Sequence, residues 1–219
     1  MMTRPITRQN ILDTDIYCLT GEKFSLGRSN IEVVRTMLES GVRLVQYREK
    51  EKKMGAKFEE CRELRAMTRD AGAAFIVNDD IDIAILVHAD GVHIGQEDLP
   101  IEYVRQLVGE DMAIGLSTHS PAEAQDAVRR GADYIGVGPI FKTFTKEDVV
   151  DPVGFEYMEY VVANLDIPFV AIGGIKEHNI GEVVRRGAKC VALVTEIVGE
   201  EDIAAKITAL RKEMEAAKE

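Results

Sequence analysis

The residues able to do chemistry fall in short polar clusters, each just after an apolar run. Gln46-Tyr47-Arg48-Glu49-Lys50 closes the run that begins at Arg43. In an extended segment, residues two apart share a face, so Gln46, Arg48 and Lys50 project together. An amide, a guanidinium fork and a point charge suit a pyrophosphate; the plainer reading is a surface charge run paired with its own glutamates. Asn78-Asp79-Asp80 follows the next apolar run, and Gln96-Glu97-Asp98 follows the one after. Asp79 and Asp98, at adjacent strand ends, would share one hard cation, and magnesium takes a few carboxylates plus substrate phosphates. The plainer reading makes Asp79 or Asp80 a helix cap and leaves Asp98 in an ordinary acidic loop.

Further along come Ser117-Thr-His119-Ser120, with Ser120 suited to cap a helix starting at Pro121, and then a long loop from Gly138 that holds Thr143, Thr145 and Lys146. Ile172-Gly173-Gly174-Ile175 and Val194-Thr195-Glu196 complete the series. Loops of this kind turn bare N–H groups toward an anion, although two glycines also fit a tight turn with positive φ. Among the histidines, His88, His93 and His178 read as structural, and His119, at a strand end, is the one with catalytic promise.

The elements that must position these clusters show as an alternation. Eight short runs are rich in β formers: Asp15–Thr20, Arg43–Tyr47, Ala74–Val77, Gly91–Ile94, Ala113–Ser117, Tyr134–Val137, Pro168–Ile172 and Cys190–Val194. Their nearly unbroken hydrophobicity predicts strands buried on both faces, as in a parallel sheet. Between them, Ser29 predicts the cap of a helix over Asn30–Ser40 that stops at Gly41; Lys57–Ala71 ends at Gly72; Pro100 and Pro121 suit first turns. The last stretch, Glu201–Lys218, carries an apolar stripe at Ile203, Ile207, Leu210 and Met214. The segment Val128-Arg-Arg-Gly-Ala-Asp-Tyr-Ile-Gly-Val is echoed by Val184-Arg-Arg-Gly-Ala-Lys-Cys-Val-Ala-Leu: a helix end, a glycine, then a strand. Eight such βα units predict one (β/α)8 barrel domain over residues 1–219, with a short N-terminal extension at 1–12. A doubly wound sheet is the alternative. In a barrel, the site lies at the C-terminal ends of the strands, where the polar clusters fall.

Composition narrows the functional classes. The 219 residues include 27 Lys and Arg against 38 Asp and Glu, a net charge of −11. So acidic a chain is a poor partner for nucleic acid or anionic membranes, and an anionic ligand must be held by a local cationic site or a metal. No apolar run approaches a membrane span. Cys18, Cys61 and Cys190 are odd in number and widely spaced, which reads as reduced packing residues in a cytoplasmic protein.

Taken in order, Gln46-x-Arg48-x-Lys50, Val77-Asn-Asp79, Ala89-Asp-Gly-Val-His-Ile-Gly-Gln-Glu-Asp98, Gly115-x-Ser117, Gly136-Val-Gly-Pro-Ile, Thr143-x-Thr145-Lys146 and Ile172-Gly-Gly-Ile175 resemble the thiamine-phosphate synthase family from about Asp15 to Ile197. The resemblance implies a (β/α)8 transferase that joins a hydroxymethylpyrimidine pyrophosphate to a thiazole phosphate and releases pyrophosphate. It implies that Gln46, Arg48, Lys50, Asn78, Ser117 and Lys146 hold the pyrimidine substrate, with Arg48, Lys50, Ser117 and Lys146 in catalytic roles. Asp79 and Asp98 would bind Mg2+. Thr143, Phe144, Thr145, Gly174, Val194 and Thr195 would hold the thiazole phosphate. The expected partners are these two phosphorylated small molecules, with a homo-oligomer left open.

Two residues depart from the family pattern. Glu196 stands where a small residue is usual and would repel a phosphate at Val194–Thr195 unless its side chain turns away. Tyr47 replaces a leucine and should face opposite to Gln46 and Arg48. Two other functions compete. A thiazole tautomerase of the same barrel type would use a histidine and no magnesium, but would not need Asp79, Asp98, Arg48 and Lys50 together. A non-catalytic sensor of thiamine precursors would bind both without turnover.

Overall fold

The computed structural model describes residues 6–145 and 151–218. Eight strands alternate with helices: β1 (Ile16–Leu19), β2 (Leu44–Tyr47), β3 (Ala74–Asn78), β4 (Gly91–Ile94), β5 (Ala113–Thr118), β6 (Tyr134–Val137), β7 (Phe169–Ile172) and β8 (Cys190–Leu193). Every neighbouring pair is parallel, and β1 also pairs with β8, Ile16 standing opposite Val191. The sheet is therefore a closed barrel in chain order. Closure excludes the doubly wound alternative, whose first and last strands never meet.

The helices are α1 (Asn30–Glu39), α2 (Met54–Asp70), α3 (Ile81–Leu86), α4 (Ile101–Val108), α5 (Pro121–Arg129), α6 (Gly154–Asn164), α7 (Glu177–Arg185), α8 (Thr195–Val198) and α9 (Ile203–Ala216). Ser29 caps α1 in a reciprocal pair with Glu32, and Ser120 caps α5, with Pro121 in its first turn. Pro100 lies one residue earlier than expected, at the cap of α4. Helix α2 starts before Lys57 without a capping side chain at Lys53, so its start carried no local signal. The four-residue α8 is too short for a period to show.

Two apolar layers result. Between strands and helices lie residues such as Val33, Leu64, Phe75 and Ile180, together with the α9 stripe of Ile203, Ile207, Leu210 and Met214. Inside the barrel lie Leu44, Ile76, Val170 and Ala192, with Ile11 of the N-terminal segment. Cys18, Cys61 and Cys190 are buried and unbridged, and burial raises all three thiols. No helix among the described residues is long and apolar enough to cross a membrane.

Candidate functional site

A cavity of about 360 Å³ opens at the C-terminal ends of the strands, lined from Leu19 on β1 round to Leu193 on β8. Its floor is polar although it sits on an apolar barrel. Gln46 Nε2 donates to the Tyr17 hydroxyl at 2.7 Å. Tyr17 and Tyr134 share a hydrogen bond of 3.1 Å between their hydroxyls, Tyr134 reaches His93 Nδ1 at 3.1 Å, and His93 Nε2 meets Ser117 Oγ at 3.0 Å. These residues come from β1, β2, β4, β5 and β6. Room for them is made by Gly115: a Cβ there would stand 2.1 Å from the Tyr134 ring and 2.5 Å from His93 Nδ1. His93 was expected to be structural. It instead lines the cavity and contacts Ser117. The sequence signal was the pair of strand glycines, Gly115 and Gly136, which mark close approach.

One wall is ionic. The alternation rule holds at the end of β2: Gln46 and, just past the strand, Arg48 line the cavity, while Tyr47 turns outward and donates to Glu60 at 2.7 Å. Arg48 is half-buried, its backbone N–H fixed by Thr20 Oγ1 at 2.8 Å. No carboxylate among the described residues lies within ion-pair distance of it. Burial depresses the guanidinium, against the pull of Asp79 and Glu49. Beside it, Lys50 lies 3.2 Å from Asp79 at the exposed rim. Asp79 takes a positive φ of 60° next to Asn78, which lines the cavity. Burial and the adjacent Asp98 carboxylate push the Asp79 carboxyl up, against the pull of Lys50. Asp80 is not part of this group. It binds Lys57 at 2.8 Å and makes no capping hydrogen bond. Asp98 is anchored by the Gly95 N–H at 2.6 Å.

The opposite wall is built from backbone and hydroxyls. Gly173 and Gly174 both have positive φ, and a Cβ on Gly174 would meet the Lys142 carbonyl at 2.6 Å. Asn179 pins this turn, accepting the Lys176 N–H and donating to the Gly174 carbonyl. Val194 precedes α8, and Thr195 opens it. The Thr143 and Thr145 hydroxyls lie 3.3 Å apart across the same space, and Phe144 lines the cavity at its exposed edge. Glu196 is buried with its carboxylate turned to the Glu177 N–H, Lys176 and Lys206 at 3.1, 3.1 and 3.4 Å. Burial would raise its carboxyl, but the N–H and the two lysines hold it below the usual range. The Glu196 charge that the sequence placed beside Val194–Thr195 is thereby paired within the protein. His119 lines the cavity too, its Nδ1 held 2.6 Å from the Gly138 carbonyl.

Gln46, Arg48, Asn78, Ser117, Thr143, Phe144, Thr145, Gly174, Val194 and Thr195 thus share one cavity, with Lys50, Asp79 and Asp98 grouped beside it. Lys146 lies outside the described residues.

Comparison with known proteins identifies the family. The sequence profile described as thiamine monophosphate synthase matches residues 16–197. A thiamine-phosphate synthase of Pelotomaculum thermopropionicum is 63% identical over 210 residues, covering 96% of each chain. One from Lawsonia intracellularis is 53% identical, covering 92% of this chain and 93% of its own. Among solved structures, a thiamine phosphate pyrophosphorylase of Pyrococcus furiosus superposes with a TM-score of 0.86 at 35% identity, covering 95% of this chain and 98% of that one. With the profile spanning most of the barrel and relatives matching nearly end to end, this chain belongs to the thiamine monophosphate synthase family of transferases.

Proposed function

We propose that the chain joins a hydroxymethylpyrimidine pyrophosphate to a thiazole phosphate, releasing pyrophosphate. The observation that carries this reading is Arg48: a half-buried guanidinium facing a cavity, with no carboxylate partner among the described residues, in a chain of net charge −11. An anion bound there restores the solvation that burial removes. Arg48 and Lys50 hold the pyrophosphate, with Lys146 assigned to the same group by its motif. Gln46, Asn78 and Ser117 orient the pyrimidine end. Thr143, Phe144, Thr145, Gly174, Val194 and Thr195 hold the thiazole phosphate, supported by the positive-φ turn at Gly174 and the N–H groups that open α8.

The bond between the pyrimidine methylene carbon and the pyrophosphate oxygen breaks, and the leaving group keeps the electron pair. The thiazole ring nitrogen gives its lone pair to that carbon. The aminopyrimidine ring delocalises positive charge on the methylene, so no side chain need form a covalent bond. The protein supplies positive potential where the leaving group gains charge and holds the two substrates in line.

Asp79 and Asp98 fit magnesium. They are two adjacent oxygen donors crowding negative charge, and among the described residues no group of three or more His, Cys, Asp or Glu is arranged to hold a metal. Substrate phosphates would complete the shell, as this ion prefers. Bound there, magnesium supplies positive charge to the departing pyrophosphate. This carboxylate and cation half of the site has no use in a tautomerase. The test is to incubate the chain with both precursors and quantify thiamine phosphate and pyrophosphate. Equal amounts of the two are expected; binding of both precursors without either product would favour the sensor reading instead.

A further inference from the structure

The polar chain under the cavity has a direction, and that direction fixes what Ser117 can do. Gln46 Nε2 donates to the Tyr17 oxygen. The proton of Tyr17 then goes to its other neighbour, the Tyr134 oxygen at 3.1 Å. Tyr134, having accepted, gives its own proton to His93 Nδ1 at 3.1 Å. With Nδ1 as acceptor, a neutral imidazole carries its proton on Nε2, which faces Ser117 Oγ at 3.0 Å. Ser117 accepts there, and its one hydroxyl proton is left for the cavity, which Ser117 lines.

Burial secures this order. Tyr17 and Tyr134 are buried almost completely, and burial raises both phenols far above their ordinary value, so each keeps its proton. No buried side-chain polar atom among the described residues lacks a partner, and the order follows from the Gln46 amide: with its Nε2 donating to Tyr17, each later bond takes the direction given. Gly115 keeps the space in which Tyr134 and His93 meet.

We infer that Tyr17, Tyr134 and His93 are positioning residues that hold Ser117 as a hydrogen-bond donor toward the bound pyrimidine pyrophosphate. A serine in that state suits an oxygen gaining negative charge and does not suit a donor group of the substrate. This inference rests on the reading that Ser117 serves the pyrimidine substrate, and the test separates the two.

Turnover is measured for Ser117→Ala, Tyr134→Phe and the double variant. Losing one preorganised donor costs roughly 100-fold, and we expect about that for Ser117→Ala. Tyr134→Phe keeps the ring and should lose about 10-fold in kcat. Because it acts through Ser117, it should cost almost nothing further in the Ser117→Ala background, the non-additivity of residues that work as one unit. A near-native Ser117→Ala enzyme would overturn the Ser117 assignment and the inference together. A large Ser117→Ala loss with additive Tyr134→Phe loss would overturn the inference alone. Nitrogen NMR of His93 in the unaltered protein checks the direction without any variant: the Nε2-protonated tautomer is expected, and the Nδ1-protonated tautomer would refute it.

Discussion

Arg48 and Asp79 carry opposite charges, yet both are destabilised by their surroundings: burial depresses the first and burial raises the second. On the proposed function, an anion would relieve Arg48, and a divalent cation would add to what Lys50 supplies to the Asp79–Asp98 pair. On this account Asp79→Ala lowers turnover by at least about 100-fold, the scale of one strong transition-state contact, in a pyrophosphate-release assay; a near-native rate would remove Asp79 from the metal site. Thr143→Ala should instead raise KM for the thiazole phosphate with little change in kcat, as loss of uniform binding does. A change confined to the pyrimidine substrate would contradict that assignment. The shared face of Gln46 and Arg48 was legible because alternation in an extended segment fixes side-chain direction, whereas Lys50, past the strand, lies at the exposed rim on Asp79. His93 was not legible, because a histidine inside an apolar strand looks like any satisfied core residue until its neighbours are known. Glu196 shows the same limit. Its sequence position signalled a clash, and only the fold brings Lys176, Lys206 and the Glu177 N–H to the carboxylate.

Strands and loops divide the work. Strand ends supply the polar floor, and loops supply the two walls. The strands were readable to within two residues because burial on both faces leaves continuous apolar runs. Helix starts without a capping residue, such as that of α2, were displaced by a few residues, and α8 escaped notice. The strand glycines are the most demanding positions of the fold. Gly115→Ala would force a methyl into the Tyr134 ring. Overpacking of this kind costs about 1–3 kcal/mol, so the urea midpoint should fall while KM for the pyrimidine substrate rises. An unchanged midpoint would mean that Tyr134 and His93 repack freely and that Gly115 does not reserve their space.

Barrel closure pairs the first strand with the last, β1 with β8, at one seam. Arg211 of α9 seals that seam, binding Asp15 at 2.7 Å and the carbonyls of Ser40 and Gly41. Burial alone would raise the Asp15 carboxyl, but Arg211 holds it below its ordinary value of 3.8. A carboxyl lowered on folding stabilises the protein above that ordinary value, and the gain is lost as pH falls through the folded-state value. The stability gap between the unaltered protein and Asp15→Asn should therefore be full at neutral pH and shrink in acid; a gap independent of pH would deny the ion pair its role. The eight-unit order was legible from the repeat of helix end, glycine and strand, and the count of eight pointed to the closure that the β1–β8 pairing makes.

On the proposed function, an acidic molecule would handle two phosphorylated substrates through cations such as Arg48 and Lys50 at one mouth of the barrel, with a divalent ion held by Asp79 and Asp98 adding to that positive field. The most direct measurement is pyrophosphate release from the two precursors in chelator-treated protein, before and after magnesium is restored. Negligible release without the ion and full recovery with it are expected. Equal release in both conditions would contradict the role of the ion.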